Sequence, residues 1–153
     1  MTRYRLEIEE SMCWGCKTCE LACKQENRAP DGVQLIRITE DGPREVAGKW
    51  FFEYRVSRCR HCDTPPCVEA CSEEAISQRD DGIVVLDRSE CTGCRACLEA
   101  CPYDAVAFDE DENTAAKCNL CHHRLQAGLL PACADNVCLA HCIHLSQEGE
   151  WAP

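Results

Sequence analysis

The sequence has no apolar run approaching the ~18 residues needed to cross a bilayer, so no membrane span of its own is expected. It opens Met1-Thr2-Arg3-Tyr4, with no apolar leader region and no twin-arginine stretch, so export is not expected either. Positive charge is scarce: 16 Lys and Arg stand against 27 Asp and Glu, for a formal charge of −11. That balance disfavours nucleic acid as a partner. Material for an ordinary core is scarce too, because Leu, Ile, Val and Phe make 28 of the 153 residues, about 18%. On composition alone such a chain leans towards disorder. There is no Gly-rich phosphate loop, no nucleophile–base pair and no flavin or pterin fingerprint, so the chain is not expected to carry a substrate site.

What it has instead is cysteine: 17 residues, about 11% of the chain. An odd count, the missing leader and the many C-x2-C pairs speak against a secreted disulfide scaffold and for a reducing cytoplasm. Sixteen of the seventeen fall into four groups of four. The first, Cys13-x2-Cys16-x2-Cys19-x3-Cys23, and the third, Cys91-x2-Cys94-x2-Cys97-x3-Cys101, share one spacing. It is the run of bacterial ferredoxins, in which three thiolates hold one cubane and the fourth reaches a neighbouring cluster. The second group is Cys59-x2-Cys62-x4-Cys67-x3-Cys71, its wider loop holding Asp63-Thr64-Pro65-Pro66. The fourth is Cys118-x2-Cys121-x11-Cys133, completed by Cys138 or Cys142.

Four [4Fe-4S] clusters are therefore expected, with crossed ligation: Cys59, Cys62 and Cys67 with Cys101; Cys91, Cys94 and Cys97 with Cys71. Cys13, Cys16 and Cys19 take the last cysteine of the fourth group, and Cys118, Cys121 and Cys133 take Cys23. Zinc on thiolate pairs would explain Cys118/Cys121 but not the ferredoxin run seen twice. Folding is expected to require the metal. Oxidised clusters would each add about −2 to a surface already acidic.

The chain reads as an internal repeat of cysteine loop, short helix, turn and strand. Strands are expected over residues 3–9, 33–39, 50–56, 82–86 and 105–108, and helices over 19–27 and 124–130. Turns are expected at Asp41-Gly42-Pro43 and Asp80-Asp81-Gly82. Residues 109–112 read as a solvated acidic loop and 146–153 as a loose polar tail. The expected fold class is α+β: two nested bacterial-ferredoxin-like modules, short strands and helices around four clusters, in one polyferredoxin domain over residues 1–153. The inner two-cluster module spans about 57–109, the outer about 1–56 plus 110–145. His61, His122, His123, His141 and His144 are expected near cluster sulfur as hydrogen-bond donors rather than ligands. Trp14 and Trp50 are expected to pack against clusters.

The phrases Cys-Arg-His-Cys-Asp-Thr-Pro-Pro-Cys (59–67), Cys-Thr-Gly-Cys-Arg-Ala-Cys-Leu-Glu-Ala-Cys-Pro-Tyr (91–103) and Cys-Asn-Leu-Cys-His-His-Arg (118–124) resemble the four-cluster iron–sulfur subunits of molybdenum and tungsten oxidoreductases, the dimethyl sulfoxide reductase type. Cys23-Lys-Gln-Glu-Asn27 and residues 130–142 are similar to the small subunits of tungsten aldehyde oxidoreductase and class II benzoyl-CoA reductase complexes. The resemblance implies a non-catalytic electron-transfer subunit, relaying electrons between a tungsten or molybdenum pterin catalytic subunit and a flavoprotein or other acceptor. Head-to-tail self-association into filaments is a further expectation. The alternatives are a free soluble polyferredoxin serving several enzymes, and a zinc scaffold or cluster-assembly module. The family's usual proline after the fourth cysteine is present as Pro102 but is Ser72 and Lys24 in the second and first groups. The family's distance to Ile143-His144 favours Cys138 over Cys142 as sixteenth ligand.

Overall fold

Short, interrupted apolar stretches separated by turn residues can pair locally but cannot build a large sheet. The computed structural model, which describes residues 3–147, shows four antiparallel two-stranded ribbons with four short helices between them. In chain order the elements are β1 (Tyr4–Ile8), α1 (Thr18–Glu26), β2 (Ile36–Val46), β3 (Lys49–Arg58), α2 (Pro66–Glu69), β4 (Ile76–Gln78), β5 (Val84–Leu86), α3 (Ala96–Ala100), β6 (Val106–Asp109), β7 (Thr114–Lys117), α4 (His122–Gln126) and β8 (Ile143–Gln147). A 3₁₀ turn over Glu10–Met12 leads into the first cysteine loop. The content is mixed helix and strand, in line with the α+β expectation.

Hairpins join β2 to β3, β4 to β5 and β6 to β7, whereas β1 pairs with β8 from the far end of the chain. In that last pair Leu6 faces Leu145 and Ile8 faces Ile143. Each of the two inner hairpins follows a cysteine-bearing helix in the same order, so α2-β4-β5 and α3-β6-β7 repeat one unit. The buried apolar residues form two clusters. One gathers Leu6, Val33, Ile36, Ile38, Ile83 and Leu120, and the other Ile76, Val84, Val106 and Ala115. Cysteines belong to both: Cys19, Cys23 and Cys133 to the first, Cys67 and Cys97 to the second.

Several expectations require correction. The strand expected at 33–39 starts at Ile36 and does not stop at Asp41-Gly42-Pro43. Those residues form a bulge between Asp41 and Arg44, inside a long ribbon. A proline without an N–H is tolerated at such an irregularity. The chain reverses at Ala47-Gly48 instead, both at positive φ (51° and 76°), as a two-residue hairpin turn demands. Strands β7 and β8 were not expected. β7 is the small-residue sequence Thr-Ala-Ala-Lys, and β8 takes in Ser146 and Gln147 of the supposed loose tail; residues 148–153 of that tail lie outside the described residues.

Asp109 is not solvated either, being 3% exposed. Its carboxylate accepts from Arg88 at 2.5 Å and from the N–H groups of Asp111 and Glu112 at 3.2 Å. It thus closes the β6–β7 turn, and the Arg88 hydrogen bond holds its pKa below the usual value. Trp14 and Trp50 face solvent, at 65% and 71% exposure, rather than burying against cluster sites.

Candidate metal centres

A cysteine loop must turn several thiols towards one point, which ordinary helix or strand geometry cannot do. The four loops solve this in the same way. The residue two places after each leading cysteine has positive φ: Gly15 (67°), His61 (49°), Gly93 (76°) and Leu120 (52°). In three of them its N–H then points at the leading sulfur, Gly15 to Cys13 Sγ at 3.5 Å, His61 to Cys59 Sγ at 3.5 Å and Leu120 to Cys118 Sγ at 3.3 Å. Cys91 Sγ accepts instead from Ala115 N–H at 3.4 Å, and Cys101 Sγ from Ala105 N–H at 3.5 Å. Glycine is required at two of these positions for space as well as for φ. A Cβ at Gly15 would lie 2.1 Å from the Tyr54 ring, and one at Gly93 would lie 2.3 Å from the Asn113 carbonyl oxygen.

Helices carry the remaining thiols inward. α1 presents Cys19 and Cys23, one turn apart, to the core. Its Glu20 anchors it to the next ribbon by accepting from Ile38 N–H at 2.5 Å and Gln34 Nε2 at 3.3 Å. α2 and α3 bury Cys67 and Cys97.

All seventeen cysteines are free thiols. Burial raises the pKa of many of them, and the neighbouring thiolates that add to the effect reveal which cysteines lie together. Cys62 and Cys67 are raised first by burial, with Cys59 and Cys101 among the neighbours that add to it. Burial pushes Cys97 up to about 11, with Cys91, Cys94 and Cys71 close by. Cys23 is pushed up to about 12 by burial, with Cys118 and Cys121 adjoining. Cys133 is raised further by burial, beside Cys118, Cys23 and Cys121. Burial pushes Cys19 up to about 12, with Cys138 and Cys16 beside it. Cys16 alone is lowered, by the Thr18 hydroxyl 3.2 Å away and the Thr18 N–H.

Thiols from distant parts of the chain thus lie near one another: Cys101 by Cys62 and Cys67, Cys71 by Cys97, Cys23 by Cys133, and Cys138 by Cys19. Cys138 has a further thiol beside it. Cys142 Sγ lies 3.5 Å from Cys138 Sγ, is close to Cys13, and is 1% exposed. Cys138 Sγ accepts the Cys142 N–H at 3.4 Å, the same kind of bond that serves the leading cysteines.

Among the described residues no three His, Cys, Asp or Glu side chains converge tightly enough for a single metal ion. A tetrahedral zinc would gather its sulfurs at about 2.3 Å from one centre. A cubane spreads four thiolates over four irons. Buried thiols made reluctant to ionise are also a donor set that needs a strongly cationic occupant to deprotonate it.

The histidines divide. His61 is 5% exposed; its Nδ1 accepts from Val84 N–H at 3.0 Å, and its Nε2 is buried without a partner. Burial pushes its pKa down to about 3. His122 Nδ1 is likewise buried without a partner. His123 bonds Glu26 at 2.7 Å, while His141 and His144 are exposed. No spacing or motif points to Arg124, which holds the fourth loop to its neighbours through Glu26 at 2.9 Å, Asp135 at 2.6 Å and the Leu130 carbonyl at 2.7 Å.

The 4Fe-4S dicluster domain family matches the chain twice, over residues 50–148 and 12–76. The chain is 42% identical to the B subunit of tetrathionate reductase from Salmonella typhimurium, over 88% of its own length and 54% of that protein's. It is 39% identical to the B component of anaerobic dimethyl sulfoxide reductase from Escherichia coli, over 88% of the chain and 69% of the relative. To the B component of polysulfide reductase from Wolinella succinogenes it is 37% identical, over 86% and 70%. It thus spans little more than half of the tetrathionate reductase relative, 54%.

Proposed function

The protein belongs to the 4Fe-4S dicluster family, and from that premise we propose that it is the electron wire of a multi-subunit oxidoreductase, working beside a molybdenum or tungsten pterin catalytic subunit. It holds four [4Fe-4S] clusters and is itself non-catalytic. Each cluster, when bound, takes up and releases one electron. The protein's own residues space the sites, keep water out and donate N–H groups to the sulfurs.

The ligand sets in this reading are Cys13, Cys16, Cys19 and Cys138 (first); Cys59, Cys62, Cys67 and Cys101 (second); Cys91, Cys94, Cys97 and Cys71 (third); and Cys118, Cys121, Cys133 and Cys23 (fourth). The observation that carries the reading is their order. In this reading the second and third sets exchange Cys101 and Cys71, which follow α3 and α2. Cys118 of the fourth set is influenced by Cys59 of the second, and Cys23 and Cys133 of the fourth by Cys19 of the first. The series runs third, second, fourth, first. Its two exposed cysteines, Cys94 and Cys16, belong to the third and first sets, the two ends of that series, while none of the second or fourth set is exposed. That is the form of a conductor with two docking ends. The nested division follows the same sets, with the second and third inside an inner module and the first and fourth in an outer one.

At the Cys16 end the exposed Met12 and Trp14 flank the loop, and the exposed Phe52 ring meets edge-on Tyr54, the ring beside Gly15. Exposed aromatics of this kind suit a lasting subunit contact. The resemblance to tungsten aldehyde oxidoreductase small subunits supports that enzyme type, and the opposite end would then serve a flavoprotein, another acceptor or a second copy head to tail. Among the described residues no helix is long and apolar enough to cross a membrane. A free carrier docking to several basic partners is the second reading, favoured by the −11 charge.

An anaerobic pull-down of the natively expressed protein with elemental analysis tests the proposal. About sixteen irons per chain with tungsten or molybdenum at a fixed ratio is the expected result. Iron without either metal would favour the free carrier, and zinc in place of iron would overturn the assignment.

Cys138 rather than Cys142 is assigned as sixteenth ligand because its sulfur receives a backbone N–H, as the leading cysteines' sulfurs do. Cys138→Ser should cost about four irons per chain, and Cys142→Ser none. Iron loss in the Cys142 variant alone would reverse the assignment.

A further inference from the structure

Lys117, at the end of β7, is 6% exposed. Its Nζ donates to two backbone carbonyls, those of Val84 and of Cys118, the latter at 2.8 Å. No carboxylate lies within ion-pair distance of it among the described residues. A buried cation is costly unless something nearby compensates its charge, and carbonyl groups solvate it without neutralising it.

Lys117 runs directly into Cys118 of the fourth set, and Val84, whose carbonyl takes its Nζ, donates its N–H to His61 Nδ1 in the second cysteine loop at 3.0 Å. Cys67 of the second set and Cys118 of the fourth are among the thiols on which its charge acts. It stands therefore between the second and fourth loops. Arg58 flanks the same gap, reaching the carbonyls of Leu6 and Cys59, with its Nε buried and unpartnered. Cys118, Glu7 and Cys59 are among the charges that act on it. The middle of the series thus holds the buried Lys117 and the half-buried Arg58, and among the described residues neither has a carboxylate within ion-pair distance, although the chain as a whole carries 27 acidic residues.

We propose that Lys117 is a potential-setting residue: a fixed positive charge, buried between the second and fourth cluster sites, that raises the reduction potential of both. This rests on the four-site wire reading. Taking up an electron makes a site already near −2 more negative. A cation fixed in a low-dielectric gap favours that step more than any solvated surface charge can. The first and third sites, with their exposed Cys16 and Cys94, lack such a buried lysine among the described residues, so the second and fourth would hold electrons more readily than the two ends of the series.

The test is an anaerobic redox titration of the full-length holoprotein, poised with dithionite and followed by electron paramagnetic resonance, with iron counted in each sample. Lys117→Met removes the charge. Lys117→Gln removes it but keeps an amide able to donate to both carbonyls. Lys117→Arg keeps it. In a neutral variant with full iron, the reduction equilibrium constant of two of the four clusters should fall by at least tenfold, about 59 mV for a one-electron couple. The other two clusters, and all four in the Arg variant, should hold within a few-fold of the wild type. Unmoved midpoints in a fully loaded neutral variant overturn the proposal. So do an equal shift of all four clusters, an Arg variant that falls as far as the Gln variant, or loss of iron from both neutral variants. A wild-type protein with well under sixteen irons sinks the wire reading and this proposal together, whereas unmoved midpoints at full iron sink the Lys117 assignment alone.

Discussion

Stripping iron from the holoprotein with a chelator is expected to unfold it. Far-UV circular dichroism should lose most of its structured signal, and backbone amides throughout residues 3–147 should exchange freely. The elements cannot stand alone. The longest helix has nine residues and the others four or five, below the length at which isolated helices persist. Every sheet is a two-stranded ribbon, marginal by itself in water.

The two apolar clusters that should bind these pieces count cysteines among their members, so emptying the sites leaves holes in the core as well as cutting cross-links. Structural metal sites in small domains contribute on the order of 10 kcal/mol each, comparable to the whole stability of an ordinary domain. Iron and sulfide added back anaerobically should restore the fold. A cooperative thermal transition persisting in the iron-free chain would show that the ribbons pack without their clusters.

Replacing Arg124 by Ala should empty the fourth site selectively. The guanidinium, 19% exposed, joins three segments that each bring cysteines to that site. Glu26 lies three residues past Cys23 on α1, Arg124 itself three past Cys121, and Asp135 two past Cys133. Its Nε also holds the Leu130 carbonyl, fixing the loop between Cys121 and Cys133. The planar fork serves three acceptors at once, which an ammonium cannot do with the same geometry. Without it two carboxylates lose their counter-charge and the loop loses its brace. Iron analysis after mild chelation should show about four irons fewer per chain than the wild type treated alike, with Arg124→Lys between the two. If Arg124→Ala keeps all its iron under conditions that begin to strip the wild type, the brace has no part in holding the site.

How far the chain could be read beforehand follows from where its chemistry lies. Spacings such as Cys13-x2-Cys16-x2-Cys19 are local, because thiols a few residues apart meet only around one centre. Helix α1 and strands β1 and β6 were legible for a similar reason: periodicity within a few residues carries their signal. Gly15 and Gly93 could be read as loop glycines, but His61 and Leu120 adopt the same positive φ without any such mark. Only the sulfur awaiting their N–H groups explains why they do.

Residue type and short spacing were enough for the cluster chemistry, the four groups and the repeat of the inner unit. Whatever depends on distant partners came only with the packing. β8 is a strand because β1 lies beside it, and Asp41-Gly42-Pro43 is a bulge because β2 continues along β3 past it. Asp109 is buried because Arg88 meets it, and Cys142 lies by Cys13 although 129 positions separate them. Lys117 belongs with these. In the sequence it is one of four lysines; its burial, with its Nζ on the Val84 carbonyl, comes from the packing of β7 against β5, which no local pattern records.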